Sequence, residues 1–349
     1  MTIIVTGKGD FHLLPRFVEG DFTHYELYLG TIDNSTPKQI QQLPHHIRIV
    51  SIHTPSSITV NGKPYPFDLG QQDPIGKAAF GALEQTIGLG KQTGAKVIVV
   101  HGASYNAFME SKEEAMRRLA NRIRPLLQKL SEETKENPKL CFETDVLWHN
   151  LYYSRRALLT TKEDFQLLQT LLPQPLKITA DFEHLSITFH FQRYLAHCGG
   201  EIVFLKKYSE IAQKKFELDC QEFIKNNFIS LQREYKEYLK DFFTAFHDQI
   251  EHIHLNGSDC CNYLFHPKTV LPFVGEHLPL GFSEHGVSDK LDYSYIASLL
   301  STLPKEKSIH AVLEIWRTEP EAFIACSRES KKFLEGSLEL KTSTTKIAR

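Results

Sequence analysis

The stretch LKITADFEH, residues 176–184, decides how the chain is read. It opens as a buried strand would. It then places Asp181 and His184 where the apolar run ends. Either the pair caps the start of a helix or it holds a ligand.

Seven further runs have the same build: IIVTG (3–7), YELYLG (25–30), IRIVSIHTP (47–55), KVIVVHGAS (96–104), KLCFETD (139–145), IEHIHLNGS (250–258) and HAVLEIW (310–316). Hydrophobicity along these runs is continuous rather than alternating, the mark of strands covered on both faces of a parallel sheet. Helical patterns lie between them. Asp73-Pro74 reads as an N-cap and first position, followed by Ile75, Ala79, Leu83 and Ile87, with Gly94 as the stop. Ser111 and Glu114 read as a capping box ahead of Ala115, Leu119, Ile123, Leu126 and Leu130, with Pro125 inside the helix. Asp292 to Leu300 reads as a short helix. Strand and helix alternating to a count of eight predict a (β/α)8 TIM barrel, with a doubly wound open sheet as the alternative. No G-x-G-x-x-G or P-loop occurs to favour a nucleotide-binding version.

One interval breaks the rhythm. Roughly seventy residues separate His184 from His254, about twice what a barrel needs between strands six and seven. Within it Ile224, Phe228, Leu231, Tyr235, Leu239, Phe242 and Phe246 recur at helical spacing. This predicts a helical insertion at about 200–249, packed on the barrel rim or serving as a lid or homo-oligomer contact. Residues 1–335 then form the barrel, and 336–349, GSLELKTSTTKIAR, a polar tail.

The composition is that of a globular protein, 41% hydrophobic and 23% charged. A net charge of −2 gives no global pull toward nucleic acid or an anionic membrane. No apolar run approaches the ~18 residues of a membrane span. The start, MTIIVTGKGD, has neither a basic segment nor a long apolar one, and the six cysteines show no C-x-x-C. A cytoplasmic setting is the expectation.

The polar residues at the ends of the runs carry the chemistry. The third run ends on His53, the fourth on His101 and the fifth on Glu143. The sixth gives Asp181 and His184, the seventh His254 and the eighth Glu314. In a TIM barrel these ends converge on one mouth. A lone histidine or acid at a strand end is ordinarily structural, but this many in one register is not a chance placement. Several carboxylates buried together are costly without a cation. Neutral imidazoles with carboxylates suit Zn, Mn, Co or Fe, so Asp181 and His184 are read as part of a divalent metal site of one to three ions.

With SIHTP, VIVVHGAS, CFETD, ITADFEH, HIHLNGSD, EHLPLG and VLEIW in these positions, the chain resembles the xylose isomerase-like TIM-barrel superfamily, which includes sugar isomerases and epimerases, inosose-processing enzymes and endonuclease IV. The resemblance implies an epimerase-type metal centre at Glu143, Asp181, His254 and Glu314. By the endonuclease IV pattern, His53, His101 and Glu143 take a further ion, and His184 and His277 take part in a third. There the pattern calls for an Asp two residues before the last His, where this chain has Gly275, with Glu276 as a substitute.

The expected function is sugar or sugar-phosphate isomerisation or epimerisation through an enediolate. Glu143 and Glu314 would exchange the proton, with His184 on a substrate hydroxyl. Lys206, Lys207 and Arg317 are the cations available to a phosphate. The alternative is an endonuclease IV-like phosphodiesterase acting on abasic DNA, the one case in which nucleic acid is a partner; Tyr152, Tyr153, Arg155 and Arg156 would be its nearest DNA contacts. A non-catalytic metal- or ligand-binding barrel is the third reading, supported by the insertion alone.

Overall fold

The computed structural model describes residues 2–107, 109–132, 137–147, 155–199, 210–262, 277–284, 286–315, 317 and 319–347. Eight strands form a closed parallel barrel: β1 (Thr2–Gly9), β2 (Tyr25–Tyr28), β3 (Ile49–His53), β4 (Val97–Val100), β5 (Lys139–Glu143), β6 (Lys177–Asp181), β7 (Ile250–Leu255) and β8 (Ser308–Leu313). Their order around the barrel is their order along the chain. The open-sheet alternative is thereby excluded. Among the described residues no helix is long and apolar enough to cross a membrane.

The chain divides into two compact units. The N-terminal unit comprises Thr6–Asp181 and Gln249–His252; the C-terminal unit comprises Met1–Val5, Phe182–Asp248 and Ile253–Arg349.

In the N-terminal unit the strands pair in parallel, with one register shift, between Tyr25 and Glu26 of β2. Tyr28 pairs with His53, His53 with Val99, Val99 with Cys141, and Glu143 with Thr179. Because side chains alternate along a strand, Ser51 shares a face with His53, Val97 with Val99, Cys141 with Glu143, and Thr179 with Asp181. Val97, Val99 and Cys141 form an apolar cluster on that face. Helix α1 (Thr36–Gln41) follows β2. Helices α2 (Ile75–Thr93) and α3 (Lys112–Glu132) follow the predicted periodicity, with Ala79, Leu83, Ala115, Leu119 and Ile123 fully buried. The capping box at the head of α3 is present: Ser111 N–H donates to Glu114 at 2.9 Å, and Glu114 N–H to the Ser111 hydroxyl at 3.2 Å. The cap expected at Asp73 is absent. Pro74 occupies the cap position of α2, and Asp73 instead pairs with Arg122 at 3.0 Å, a long-range partner that a local reading cannot see. Helix α4 (Lys162–Leu171) starts with a second capping box, Thr161 with Asp164.

The C-terminal unit takes up the chain at α5 (Phe182–His197), which follows Asp181, the last residue of β6, with no intervening loop. The aromatic stripe lies on one long helix, α6 (Glu210–Phe246), with Ile224, Leu231, Tyr235, Leu239, Phe242 and Phe246 all buried. Tyr235 donates to Phe182 O at 2.8 Å, and Phe243 stacks on Phe182 at 5.3 Å, which fastens α6 to the start of α5. Lys236 pairs with Asp292 at 2.6 Å, joining α6 to the capping residue of α7 (Tyr293–Leu300). The terminal segment, read from sequence as a polar tail, continues α8 (Pro320–Ile347) in the structure.

His190 lies fully buried in α5 against Phe189 and Tyr235, with Nδ1–H donating to Ser186 O at 2.7 Å. Burial pushes its imidazole down to about 4. The unfolded chain therefore takes up this proton at a higher pH than the folded one, so the group's contribution is present above the ordinary histidine value near 6.5 and is lost as pH falls toward 4. Unfolding in urea at pH 7 and pH 5 is expected to show about 2 kcal/mol of acid-linked loss from this residue. His190→Gln should shrink the difference between the two pH values by that amount. An unchanged difference would contradict the assignment.

Candidate metal centre

In the N-terminal unit the strand ends bring His53, His101 and Glu143 together, each offering a ligand atom within 4.8 Å of the others. His53 and Glu143 are buried, at 5% and 2% exposure. His53 Nδ1–H donates to Thr54 O at 2.8 Å, which fixes the tautomer, and Nε2 lies 3.3 Å from Glu143 Oε2. Nε2 and the carboxylate are then both acceptors, so their approach requires a proton or a cation between them. This geometry fits a divalent ion. The ring of His101 lies 5.6 Å from that of His53, and its Nε2 is 3.4 Å from Asp145 Oδ1. Asp145 went unassigned in the sequence although it lies two residues past Glu143. Asp181 is fully buried, and its backbone N–H donates to the Thr144 hydroxyl at 2.9 Å, so the end of β6 is tied to the residue after β5.

The chain next to His101 is held by a neighbouring loop. Asp68 accepts from Gly70 N–H and Ser104 N–H, each at 2.8 Å, and from the Ser104 hydroxyl. Leu69 N–H donates to Gly102 O at 3.0 Å. Gly102 has φ +90, and a Cβ there would lie 2.6 Å from Phe67 O; at Gly70 it would lie 2.2 Å from Ser104 O. Gly102, next to His101, and Gly70, packed against Ser104, are two positions that accept no side chain.

A second polar network in this unit had no signal in the sequence. Glu26 is fully buried. It pairs with Lys8 at 3.1 Å, accepts from the Ser51 hydroxyl at 2.8 Å, and lies 2.9 Å from His252 Nε2. Lys8 also sits 5.6 Å from the Tyr28 ring centre. These residues come from four different strands, and each alone looks like an ordinary surface residue.

In the C-terminal unit His254 Nδ1 lies 2.7 Å from Glu314 Oε2, and Glu314 N–H donates to Leu255 O at 3.0 Å, which continues the pairing one residue past β8. A second group comprises Glu183, His184 and His277, again with ligand atoms within 4.8 Å. Glu183, fully buried, accepts from His277 N–H at 2.8 Å and from the Asn256 amide at 2.7 Å, and its Oε2 lies 2.6 Å from His277 Nδ1. His277 is held at φ 48, in the left-handed region. Among the described residues, a carboxylate beside His184 and His277 is Glu183. Gly275 and Glu276 lie outside the described residues, as do Lys206, Lys207, Tyr152 and Tyr153. An acid in the first turn of α5 ordinarily serves the helix dipole, which is why Glu183 gave no separate signal. Arg317 lies over the Phe282 ring at 5.3 Å.

The Lys8–Glu26 pair gives a direct test. Glu26→Leu removes the carboxylate and leaves a buried ammonium without its counter-charge, a loss of about 3–5 kcal/mol. Lys8→Met with Glu26→Leu is expected to recover most of it. Equal losses in the single and double variants, measured by denaturant unfolding, would contradict the pairing.

No family model matches the chain, and no curated protein matches it in sequence. Solved structures do. A D-tagatose 3-epimerase-like protein aligns with TM-score 0.57 at 12% identity, over 99% of this chain and 100% of its own. The apo form of 3-keto-D-glucoside 4-epimerase, YcjR, from E. coli aligns with TM-score 0.53 at 13% identity, over 96% and 99%. An IolI protein with a bound zinc atom aligns with TM-score 0.53 at 12% identity, over 96% and 98%. At these identities the likeness is one of architecture. The protein has the fold of the xylose isomerase-like TIM barrels.

Proposed function

We propose that the protein is a divalent-metal-dependent isomerase or epimerase of sugars or sugar phosphates, with Glu143, Asp181, His254 and Glu314 as the metal ligands. The observation that carries this reading is acid buried against imidazole. The four residues lie at or just past the ends of β5, β6, β7 and β8, successive strands of the barrel, and none is more than 6% exposed. Three carboxylates and a neutral imidazole form a donor set for Mn, Zn, Co or Fe. Two of the structures that share the fold are named for sugar epimerases, and one holds zinc.

A bound cation supplies Lewis-acid polarisation of a carbonyl and stabilises negative charge on its oxygen. The protein's own groups handle the proton. Glu143, steadied by His53, and Glu314, steadied by His254, form the acid–base pair. One carboxylate takes the proton from the carbon next to the carbonyl, which leaves an enediolate. The other returns a proton, to the opposite face of the same carbon in an epimerisation or to the neighbouring carbon in an isomerisation. His184, beside Glu183 and His277, donates to a substrate hydroxyl and sets which carbon is presented.

A second reading is a three-metal phosphodiesterase of the endonuclease IV type. The two additional groups, His53–His101–Glu143 and Glu183–His184–His277, favour it.

The test combines metal analysis with an activity screen. Protein as purified, stripped by chelator and reloaded with Mn, Zn, Co or Fe, is assayed on ketoses, their phosphates and abasic DNA. Epimerisation or isomerisation with one equivalent of metal per chain is the expected result, with Glu143→Gln and Glu314→Gln each lowering the rate roughly 10²–10⁴-fold. Two or three equivalents with cleavage of abasic DNA would establish the second reading. Native rates in both variants would overturn the acid–base assignment.

A further inference from the structure

The turn that follows β7 carries two adjacent cysteines. Asp259, Cys260, Cys261 and Asn262 form one β-turn, closed by Asn262 N–H donating to Asp259 O at 2.9 Å, so the cysteines are its two central residues. Both are buried, at 2% and 6% exposure, and the two thiols interact with each other. That interaction, with Lys290 and Lys225 nearby, pulls the Cys261 thiol below its ordinary value; the same interaction, together with burial, pushes Cys260 up.

The turn is wired to its surroundings through Asp259. Its carboxylate accepts from Cys261 N–H at 3.0 Å, from the Asn262 amide at 2.7 Å and from Ser288 N–H at 2.8 Å. Three residues upstream, Asn256 donates to Glu183.

We propose that Cys260 and Cys261 are a peroxide-oxidisable dithiol that closes to a vicinal disulfide. The Cys261 thiolate attacks one oxygen of hydrogen peroxide, the O–O bond breaks and hydroxide leaves, giving a sulfenic acid. The Cys260 sulfur then attacks that sulfur, the S–O bond breaks, and the hydroxyl departs with the Cys260 proton as water. Two thiols lose two electrons and two protons, and one peroxide becomes two waters. Closing the ring twists the peptide between the cysteines, and with it the Cys261 N–H that Asp259 holds. The short pairing of Ser283–Glu284 with Val287–Ser288, attached through Ser288 N–H, then registers the oxidation state. The inference is independent of the reaction proposed for the barrel.

The test is hydrogen peroxide treatment of the full chain at neutral pH, then alkylation in denaturant and peptide mapping. The peptide carrying both cysteines is expected to lose two hydrogen masses and to take up no alkylating agent, and dithiothreitol should restore alkylation at both sulfurs. Cys260→Ser and Cys261→Ser should each abolish the two-hydrogen loss, the first leaving Cys261 to gain oxygen instead. The wild-type measurement stands without the variants, so a variant that misfolds does not blunt the test. Full alkylation of both thiols after peroxide, oxygen gain on Cys261 without ring closure, or pairing of either cysteine with Cys198 or Cys220 would overturn the proposal.

Discussion

A carboxylate sunk inside a barrel must be met by a hydrogen-bond donor or a cation, since an unmatched buried acid costs several kcal/mol. Among the described residues the buried acids are met in several ways. Glu26 faces an ammonium, a hydroxyl and an imidazole; Glu183 faces a backbone N–H, an amide and an imidazole; Asp259 sits among turn N–H groups. Asp289 is held by the N–H groups of Ser258, Gly281 and Leu291, although burial still pushes its carboxyl up. Glu143 lies against His53 and Glu314 against His254. A histidine that has already given Nδ1–H to a carbonyl, as His53 has, satisfies a carboxylate through Nε2 only by way of a proton or a metal ion.

Rigidity is built in where the chemistry is proposed. Asp181 is the last residue of β6, and Glu183 and His184 lie in the first turn of α5, with no loop between strand and helix. The start of α5 is itself pinned by the Tyr235 hydroxyl from α6 and by the Phe182–Phe243 stack. The unusual length of chain between β6 and β7 therefore supports the segment that carries Glu183 and His184. Groups set on such elements keep their geometry better than groups on loops.

The barrel was legible in the sequence because a parallel strand buried on both faces writes a continuous apolar run, and eight such runs with polar residues at matching ends leave few alternatives. The helix of the insertion was legible for the same kind of reason: its aromatic stripe keeps helical spacing from Ile224 to Phe246. What escaped were relations between distant positions. Asp73 looked like a cap and turned out to serve Arg122. Lys8, Glu26 and His252 come together only when β1, β2 and β7 are placed. Glu183 was hidden by its position, since acids in a first helical turn are common and usually mean nothing more than a favourable dipole. The capping box of Thr161 and Asp164 is local and could have been read.

The two tightly packed glycines near the His101 segment, Gly102 next to it and Gly70 against Ser104, carry a consequence for anyone who would re-engineer this barrel. Positions 70 and 102 contribute no functional group, so a library aimed at new substrate preference would sample them as neutral scaffold. Any side chain at either would meet a main-chain carbonyl and drive the imidazole-bearing segment away from its neighbours. Such a library would return inactive clones for steric reasons and invite a false chemical explanation. Holding both glycines invariant keeps altered selectivity distinct from a displaced backbone.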